Sequence, residues 1–378
     1  MQKDRLRTGL FIPPHNPVDE DPTLCIHRDL ELTEWGDKLG YDEVWVGEHH
    51  SGGYELIGSP EIFIAAAAER TRRIMLGTGV VSLAYHHPLL VADRIMQLDH
   101  QTRGRVMLGV GPGALVSDAA MMGIDPDTQR DRMEESLDII LRLFAGETIT
   151  HKSDWFELRN AHLHLMPYTK PRPHVVIASA FSPNGAYLAG RYGLGLLCLA
   201  ASNIAGYDVL DVNWKMAEKA AAEHGNRMDR SDLRLVLYMH IAATREEAMR
   251  NVRFGFDKWQ EYTLGVNPKG LLGTGGIEDV LARGGAIVGT PDDAVAYIER
   301  YWDKTGGFGT VLLQTINWAS FEASKTSYEL FMRYVVPRFS GRLAAQEKGY
   351  AYLRANTAEF SAKAGSASAK ATKKRLEK

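Results

Sequence analysis

Apolar strand-like runs alternate with segments of helical period along almost the whole chain, and this alternation constrains the fold more than any other feature. It is typical of repeated βα units around a parallel sheet. Eight strands are predicted, at Thr8–Ile12, Glu43–Val46, Met75–Thr78, Val106–Val110, His174–Ala178, Gly195–Leu199, Leu233–Ala242 and Thr310–Gln314. Eight strands, each followed by a helix, favour a closed α/β barrel, the (β/α)8 TIM barrel with insertions, over an open doubly wound sheet.

The helical segments and two interruptions complete the domain organisation. Helices are predicted at Leu24–Leu39, Glu61–Arg72, Pro88–Gln101, Arg130–Phe144, Asn184–Tyr192, Ile204–His224, Thr244–Arg253 and Thr290–Lys304. Residues 151–173 read as a hairpin, and the glycine-rich residues 254–287 as an active-site lid rather than a disordered segment. Residues 1–345 are expected to form one domain, and residues 346–378 a C-terminal extension whose basic tail is disordered.

Composition excludes several classes of protein. A net charge of -3 is not the footprint of a nucleic-acid-binding protein. Two cysteines, Cys25 and Cys198, cannot build a disulfide framework. The N-terminal residues lack an apolar signal core, and no uncharged apolar stretch is long enough to span a bilayer. We therefore expect a soluble cytoplasmic protein.

The run Glu43-Val-Trp-Val-Gly-Glu-His-His50 is the strongest chemical signal. It ends in a carboxylate and two imidazoles at the C-terminal end of a predicted strand, where barrel enzymes assemble their active sites. Neighbouring strand residues face opposite ways, so at most one of His49 and His50 reaches a shared pocket unless the strand has already ended. The pattern predicts an enzyme, with a structural histidine pair as the alternative.

Two other strand ends carry candidate ligand sites. Gly109-Val-Gly-Pro-Gly113 allows close approach to backbone amides, but it is not a dinucleotide fingerprint, because Pro112 lacks an amide and the next helix is predicted only near Arg130. Ser182, as an N-cap before Pro183, offers a helix N-terminus to a phosphate. An ordinary turn and an ordinary capped helix remain open.

Strands seven and eight supply further pocket candidates. The two-residue strand period puts Tyr238 and His240 on one face. If that face is the barrel interior near its C-terminal end, both side chains reach the pocket, and otherwise His240 is a core histidine. Gln314 and Trp318 are expected at the matching rim.

Several motifs in order give the chain a resemblance to a known family. They are the run Glu43–His50 together with Ile57-Gly-Ser-Pro60, Leu76-Gly-Thr-Gly-Val80, His87-Pro-Leu-Leu-Val-Ala-Asp93, Leu98-Asp-His-Gln-Thr-Arg-Gly-Arg-Val106 and Val288-Gly-Thr-Pro-Asp-Asp293. Over roughly residues 7–339 the chain resembles the bacterial luciferase-like family of flavin-dependent monooxygenases, and the pattern is most similar to its limonene 1,2-monooxygenase-like branch.

This resemblance implies reduced FMN (FMNH2) at the barrel mouth, delivered by a separate NAD(P)H-dependent flavin reductase, with O2 as co-substrate. It implies oxygen insertion through a flavin C4a-(hydro)peroxide into a small apolar substrate, a limonene-like terpene or a ketone. The enzyme is expected to be a homodimer and to use no metal. Its catalytic residues would be His49 and, in some members, His240, and Gly79-Val80 would match a non-prolyl cis peptide beneath the flavin ring. The cofactor-binding residues would be Thr78, Gly79, Val80, Gly111, Gly113, Ser179, Ser182, Asn184 and Gly185, and the substrate pocket Phe11, Tyr238, Gln314 and Trp318.

One departure and three alternatives stand beside this interpretation. Gly111-Pro112 replaces the Cys-Arg pair of light-emitting members, so a reactive thiol and a phosphate-binding arginine are missing. The alternatives are deazaflavin-dependent (F420) hydride transfer in the same fold, a non-catalytic flavin-binding protein, and a metal-dependent hydrolase. The last would use His49, His50, His86 and His87, although adjacent histidine pairs fit such sites poorly.

Overall fold

The computed structural model describes residues 6–377; residues 1–5 and 378, the outermost parts of the predicted domain and tail, lie outside it. The strands of the described chain are β1 (Arg7–Ile12), β2 (Glu43–Val46), β3 (Met75–Thr78), β4 (Val81–Ser82), β5 (Val106–Gly111), β6 (Ile149–Lys152), β7 (Glu157–Ala161), β8 (His174–Ser179), β9 (Gly195–Cys198), β10 (Leu233–Leu237), β11 (Met239–Ile241), β12 (Ile287–Gly289) and β13 (Thr310–Gln314).

Eight of these strands form the predicted closed parallel barrel, in the order β1, β2, β3, β5, β8, β9, β10 and β13. Closure comes from β1, which pairs with both β2 and β13. The seventh predicted strand, however, is interrupted at Tyr238. Its second half, β11, leaves the barrel and pairs with β12 in a separate two-stranded sheet.

The helices follow the strands as expected. Their bounds are α1 (Pro22–Leu39), α2 (Pro60–Arg70), α3 (Pro88–Thr102), α4 (Val116–Met121), α5 (Gln129–Phe144), α6 (Asn184–Tyr192), α7 (Ile204–Glu223), α8 (Arg245–Val252), α9 (Phe256–Val266), α10 (Ile277–Ala282), α11 (Pro291–Thr305), α12 (Phe321–Leu330), α13 (Ala344–Ala355) and α14 (Thr357–Leu376). The helix predicted at Thr290–Lys304 corresponds to α11, and the Thr290 side chain caps it in a capping box with Asp293.

The barrel interior explains why part of the strongest motif is structural. Glu43 and Trp45 are two residues apart and therefore share the inner face of β2. Glu43 forms a buried ion pair with Arg234 (Oε2 to Nε, 2.8 Å) and accepts a hydrogen bond from Trp45 Nε1 (2.9 Å). Such a buried charge is tolerated because it is paired and hydrogen-bonded. Glu43 thus has a structural role inside the barrel, where it links β2 to β10. The candidate chemical residues of this motif are those that follow the strand.

The two predicted insertions are both ordered. Strands β6 and β7 form the expected antiparallel hairpin. Residues 254–287 contain α9 and α10, and they build a second apolar cluster around Phe256, Trp259 and Trp318. This segment therefore packs on the barrel as a cap with its own core.

The C-terminal extension differs from its prediction. Where the composition predicts a disordered basic tail, the structure has α13 and α14, in neither of which a side chain is buried. The Ala- and Lys-rich composition that looked like a solvated coil also has high helix propensity, which accounts for the difference. Among residues 6–377, no helix combines the length and the apolar composition needed to cross a bilayer.

Candidate active site

His49, in the loop after β2, lies between two carboxylates. Its Nδ1 is 2.9 Å from Asp118 Oδ2, and its Nε2 is 3.2 Å from Glu55 Oε2. The Asp118 and Glu55 side chains are 1% and 7% exposed. Because a carboxylate only accepts hydrogen bonds, the ring satisfies both contacts when both of its nitrogens are protonated.

The electrostatics of His49 favour its charged form. Burial lowers the pKa of the imidazole, but the hydrogen bond with Asp118 and the negative charges of Glu55, Asp118 and Glu48 outweigh it, so the net pKa is raised. His49 is therefore suited to donate a proton, and the loss of either carboxylate would lower the pKa of its imidazole.

Asp118 reaches this loop from α4. Its side chain also accepts hydrogen bonds from the His50 backbone amide (3.0 Å) and from Ser51 Oγ (2.5 Å). Burial raises the pKa of Asp118, and the bonds from His49, Ser51 and His50 reverse that effect to give a lowered pKa. The expectation that no helix follows Gly113 until about Arg130 is therefore wrong, because α4 is too short to give a periodic pattern.

A second cluster surrounds Glu48. Its Oε1 lies 2.8 Å from His50 Nε2 and 2.6 Å from His86 Nε2, and its Oε2 accepts from the Ser82 amide at 2.9 Å. Burial raises the pKa of Glu48, but the bonds from His50 and His86 dominate and bring it to about 2. Glu48 is therefore an ionised anchor that fixes the two imidazoles.

These three residues also bear on the metal hydrolase. Potential ligand atoms of Glu48, His50 and His86 lie within 4.8 Å of one another. Both imidazoles, however, are already at hydrogen-bond distance from one carboxylate oxygen. The four histidines proposed for that hydrolase are not assembled, because His49 faces Asp118 and Glu55 while His87 packs edge-on against Phe156.

The Gly79–Val80 peptide after β3 lies beside the histidine loop at the barrel mouth. The Gly79–Val80 peptide is cis, as the resemblance implied. A Cβ on Gly111 would come within 2.7 Å of Val80 Cγ2, and one on Gly79 within 2.9 Å of Phe11 Cε2. One on Gly47, two residues before His49, would be 3.6 Å from the Gly79 oxygen. These glycines therefore allow neighbouring strand ends to pack closely, directly next to the histidine loop.

Two predicted cofactor residues have structural partners instead. The Thr78 hydroxyl donates to the Gly109 carbonyl at 2.8 Å and accepts from its amide at 2.9 Å, so it joins two barrel strands. Gly113 has a φ of 98° and lies against Tyr85 and Gln129. A side chain there would be strained and crowded, which explains the glycine through the turn into α4.

The end of β8 and the start of α6 form the other predicted ligand site. Ser182 is exposed, and its Oγ accepts from the Asn184 amide at 3.3 Å, as a cap does, although the helix begins at Asn184 and not at Pro183. Ser179 is buried and accepts from Asn213 Nδ2 of α7 at 3.5 Å. A Cβ on Gly185 would collide with the Ala178 carbonyl, so this glycine lets α6 sit tightly on β8.

The strand break separates the other candidates. Tyr238 is buried, hydrogen-bonds Gln314 and stacks on Trp318 with ring centroids 5.7 Å apart. His240 lies on β11, where its Nε2 is 3.2 Å from Asn251 Nδ2 of α8, and burial lowers its pKa to about 4. The two-residue period does not survive a break in the strand, so His240 packs against a helix outside the barrel.

Sequence reasoning assigned no role to Glu48, Glu55 or Asp118. Glu48 stands beside the histidines in the motif, and its position was the available signal. Glu55 lies in a loop 6 residues beyond His49, and Asp118 lies on the short helix α4, 69 residues beyond it. Only the folded chain brings both to the ring of His49.

A cleft of about 450 Å³ opens next to this network. One wall comes from the residues around the start of α4, among them Leu115, Val116 and Ser117, and the other from Tyr262 and Val266 of α9. Ser117 Oγ is 2.6 Å from Ser51 Oγ, which in turn donates to Asp118. The cleft therefore ends beside the partners of His49, and its volume is in the range of small-molecule sites.

Several known monooxygenases are similar to this chain. It is 47% identical over 350 residues to limonene 1,2-monooxygenase of Rhodococcus erythropolis, covering 92% of this chain and 90% of the relative. Among solved structures, monooxygenase RslO1 from Streptomyces bottropensis superposes with a TM-score of 0.78 at 26% identity, covering 88% of this chain and all of that one.

A second solved structure is the oxygenating constituent of 3,6-diketocamphane monooxygenase from Pseudomonas putida, a type II Baeyer-Villiger monooxygenase in complex with FMN. It superposes with a TM-score of 0.76 at 24% identity, covering 88% of this chain and 98% of that one. The model of the family described as luciferase-like monooxygenase matches residues 6–308. The barrel, the histidine loop and these matches agree: the chain is an enzyme that belongs to the luciferase-like monooxygenase family.

Proposed function

We propose that the protein is the oxygenase component of a two-component system that uses FMNH2 and O2 to insert one oxygen atom into a small apolar molecule. The substrate class is a limonene-like terpene or a ketone. The observation that carries the proposal is His49, held between two carboxylates on a loop that lies next to the Gly79–Val80 peptide. The 47% identity to a limonene monooxygenase supports the substrate class.

We place the flavin ring beside the Gly79–Val80 peptide at the end of β3. Gly79, Val80 and Gly111 would line this position, where Val80 is half-buried and the two glycines carry no side chain of their own. Bound, reduced FMN supplies the electrons with which O2 is activated. The FMN complex of the 3,6-diketocamphane enzyme component supports this choice of cofactor.

The N-terminus of α6 fits the phosphate of the same cofactor. Ser182 contributes an exposed hydroxyl, and the first amides of the helix, from Asn184 and Gly185, lie at the positive end of the helix dipole. In this proposal the positive end of the helix dipole balances the negative charge of the phosphate, which an arginine would otherwise neutralise.

His49 would control the proton in the reaction. Its Nε2 faces Glu55, and its raised pKa favours the protonated form of the ring. A donor at this position delivers a proton to the reacting oxygen and so decides whether oxygen is transferred or lost as hydrogen peroxide.

The substrate would enter through the cleft between α4 and α9. Its apolar residues Leu115, Val116 and Val266 suit a molecule without charge. Phe11, Tyr238, Gln314 and Trp318 remain the proposed inner wall of the pocket; all four are buried around the mouths of β1, β10 and β13. The cap formed by α9 and α10 would exclude water there.

The reducing equivalents would come from a separate NAD(P)H-dependent flavin reductase. The Gly109–Gly113 turn is interrupted by Pro112 and does not form the dinucleotide-binding pattern. We also propose that the protein is a homodimer. Sedimentation of the purified protein at several concentrations tests this oligomeric state.

The deciding experiment reconstitutes the protein with FMN, a flavin reductase and NADH, and screens cyclic terpenes and ketones by mass spectrometry. We expect a product heavier by one oxygen atom, with the label from ¹⁸O2. Oxygen uptake no greater than that of the reductase alone, together with hydride exchange with a deazaflavin, would replace the proposal by the deazaflavin alternative.

A further inference from the structure

Glu55 is a buried carboxylate that links the histidine loop to the cap. Its Oε2 faces His49 Nε2 at 3.2 Å, while its Oε1 accepts from the Tyr262 hydroxyl at 2.9 Å and lies 3.3 Å from His15 Nε2. The carboxylate side chain is 7% exposed. It therefore has protein groups on both oxygens, and these come from three different segments of the chain.

Helix α9 of the cap determines two of those contacts. Tyr262 is on α9 itself. Trp259, also on α9, donates from Nε1 to His15 Nδ1 at 3.3 Å. Because His15 Nδ1 is an acceptor there, the ring proton is on Nε2, which points to Glu55. The Tyr262 hydrogen bond to Oε1 therefore depends directly on α9 being seated, and the orientation of the His15 ring toward Oε1 depends on α9 through Trp259.

A stacked pair of rings holds this arrangement from outside. Tyr54 stacks on Tyr262 with ring centroids 4.3 Å apart, and its hydroxyl donates to the Lys258 carbonyl of α9 at 3.2 Å. Tyr54 is the neighbour of Glu55 in the chain, so the segment that carries the carboxylate is itself fixed to the cap.

We propose that Glu55 is a positioning residue for the reaction, which keeps the Nε2 proton on His49 and does so only while α9 is seated on the barrel. The proposal rests on the proposed function for the role of His49. In this proposal the cap also orients Glu55, besides excluding water. When α9 moves away from the barrel, Glu55 Oε1 loses the Tyr262 donor, His15 loses its bond from Trp259, and the carboxylate is no longer fixed toward His49.

The other titratable groups around this pair are accounted for. They are Glu48 and His50 on the loop of His49, Asp118 on α4, His15 after β1, Tyr262 on α9 and Tyr238 after β10. Of these, Asp118 holds the opposite nitrogen of His49, so the Nε2 side is left to Glu55.

The first test is Glu55→Gln, with the His49 pKa measured by NMR in the flavin-free protein. We expect the pKa to fall by about one unit, because an opposite charge is removed at hydrogen-bond distance. Glu55→Asp, which restores the charge, should recover part of the shift. The matched control is Glu261→Gln, which removes an exposed carboxylate from α9. An unchanged His49 pKa in folded Glu55→Gln protein would overturn the proposal, whatever the cofactor proves to be.

The second test removes one hydroxyl. Tyr262→Phe keeps the ring stack but takes the donor from Glu55, whereas Tyr54→Phe takes the hydroxyl from the partner ring. We expect Tyr262→Phe to lower the ratio of oxygenated product to hydrogen peroxide about tenfold, in line with one hydrogen bond to a charged group, and Tyr54→Phe to change it far less. Equal ratios in the two variants would contradict the link between α9 and Glu55. Should Glu55→Gln shift the His49 pKa while no variant or wild-type protein makes product, the proposed function fails and the positioning contact stands.

Discussion

The barrel mouth has two contrasting sides. The histidine side, made of Glu48, His49, His50, Glu55, His86 and Asp118, has a carboxylate facing each imidazole. The helix side, made of Ser182, Asn184 and Gly185, has exposed or half-buried residues at a helix start. This difference matches the two proposed roles. Proton control on the histidine side requires groups that are fixed before the ligand binds, whereas an anion site on the helix side leaves donors for the ligand to satisfy.

The largest effect should come from breaking the histidine side at its centre. We expect His49→Ala to lower the yield of oxygenated product about 10²- to 10⁴-fold, because a positioned proton donor is lost. Flavin reoxidation should continue, with hydrogen peroxide as the product, measured by oxygen uptake and peroxidase assay. His87→Ala is the control, since that ring packs on Phe156. An unaltered product yield would remove His49 from the mechanism.

The next effect concerns the stability of the same side. The pKa of Glu48 is about 2 in the fold against an ordinary 4.5, so its contribution is present above pH 4.5 and is lost as the pH falls toward 2. The shift corresponds to about 3 kcal/mol. Glu48→Gln should therefore lower the free energy of unfolding at pH 6 by a similar amount and flatten its fall in acid.

Denaturant titrations from about pH 2 to about pH 9 measure these effects. The pKa of His50 is raised, mainly by its bond to Glu48, so its contribution is full below pH 6.5 and is lost as the pH rises past its folded value. Glu48→Gln should remove that alkaline limb as well. A variant with the wild-type profile would show that the cluster carries no net stability.

A smaller effect is expected on the helix side. Ser182→Ala should weaken FMN binding about tenfold, the loss expected for one hydrogen bond to a charged phosphate. The product formed per bound flavin should stay the same, because the histidine side is untouched. Ser320→Ala, which removes a capping hydroxyl from α12, is the control. Fluorescence titration measures the affinity, and equal affinity in the Ser182 variant would end its assignment.

The smallest expected effect separates the two sides without a mutation. Inorganic phosphate should compete for the start of α6 and raise the apparent dissociation constant of FMN a few fold, about 1 kcal/mol or less. The pH profile of product yield should not move, because it belongs to His49. A phosphate-dependent shift of that profile would mean that the two sides share one site.

The sequence predicted most of the barrel, because strand and helix periods are local. The bounds of β2, β3, β13 and α6 agree with the prediction, and the Thr290 cap starts α11 as expected. The strand through Tyr238 failed for the opposite reason. Its apolar pattern continues across the break, while its second half takes hydrogen bonds from β12, a partner that no local pattern identifies.

The candidate site was predicted in part. The motif ending at His49 and His50 lies in the loop of the candidate site, and the cis peptide at Gly79–Val80 is where the resemblance put it. The cofactor-binding roles of Ser179 and Thr78 stay predictions, and both hydroxyls are bonded within the protein. The choice between a free and a bonded hydroxyl depends on neighbours from other strands and helices.

The amino-acid sequence by itself determined the alternation of elements, the barrel they close into and the loop that carries the imidazoles. Only the tertiary structure decided which carboxylates face those imidazoles. Glu55 and Asp118 approach the ring of His49 from two other segments, and His15 reaches Glu55 from a third. Periodicity reports which side of an element is apolar, whereas a hydrogen bond depends on positions a few ångströms apart across separate loops, and those distances exist only once the chain has folded.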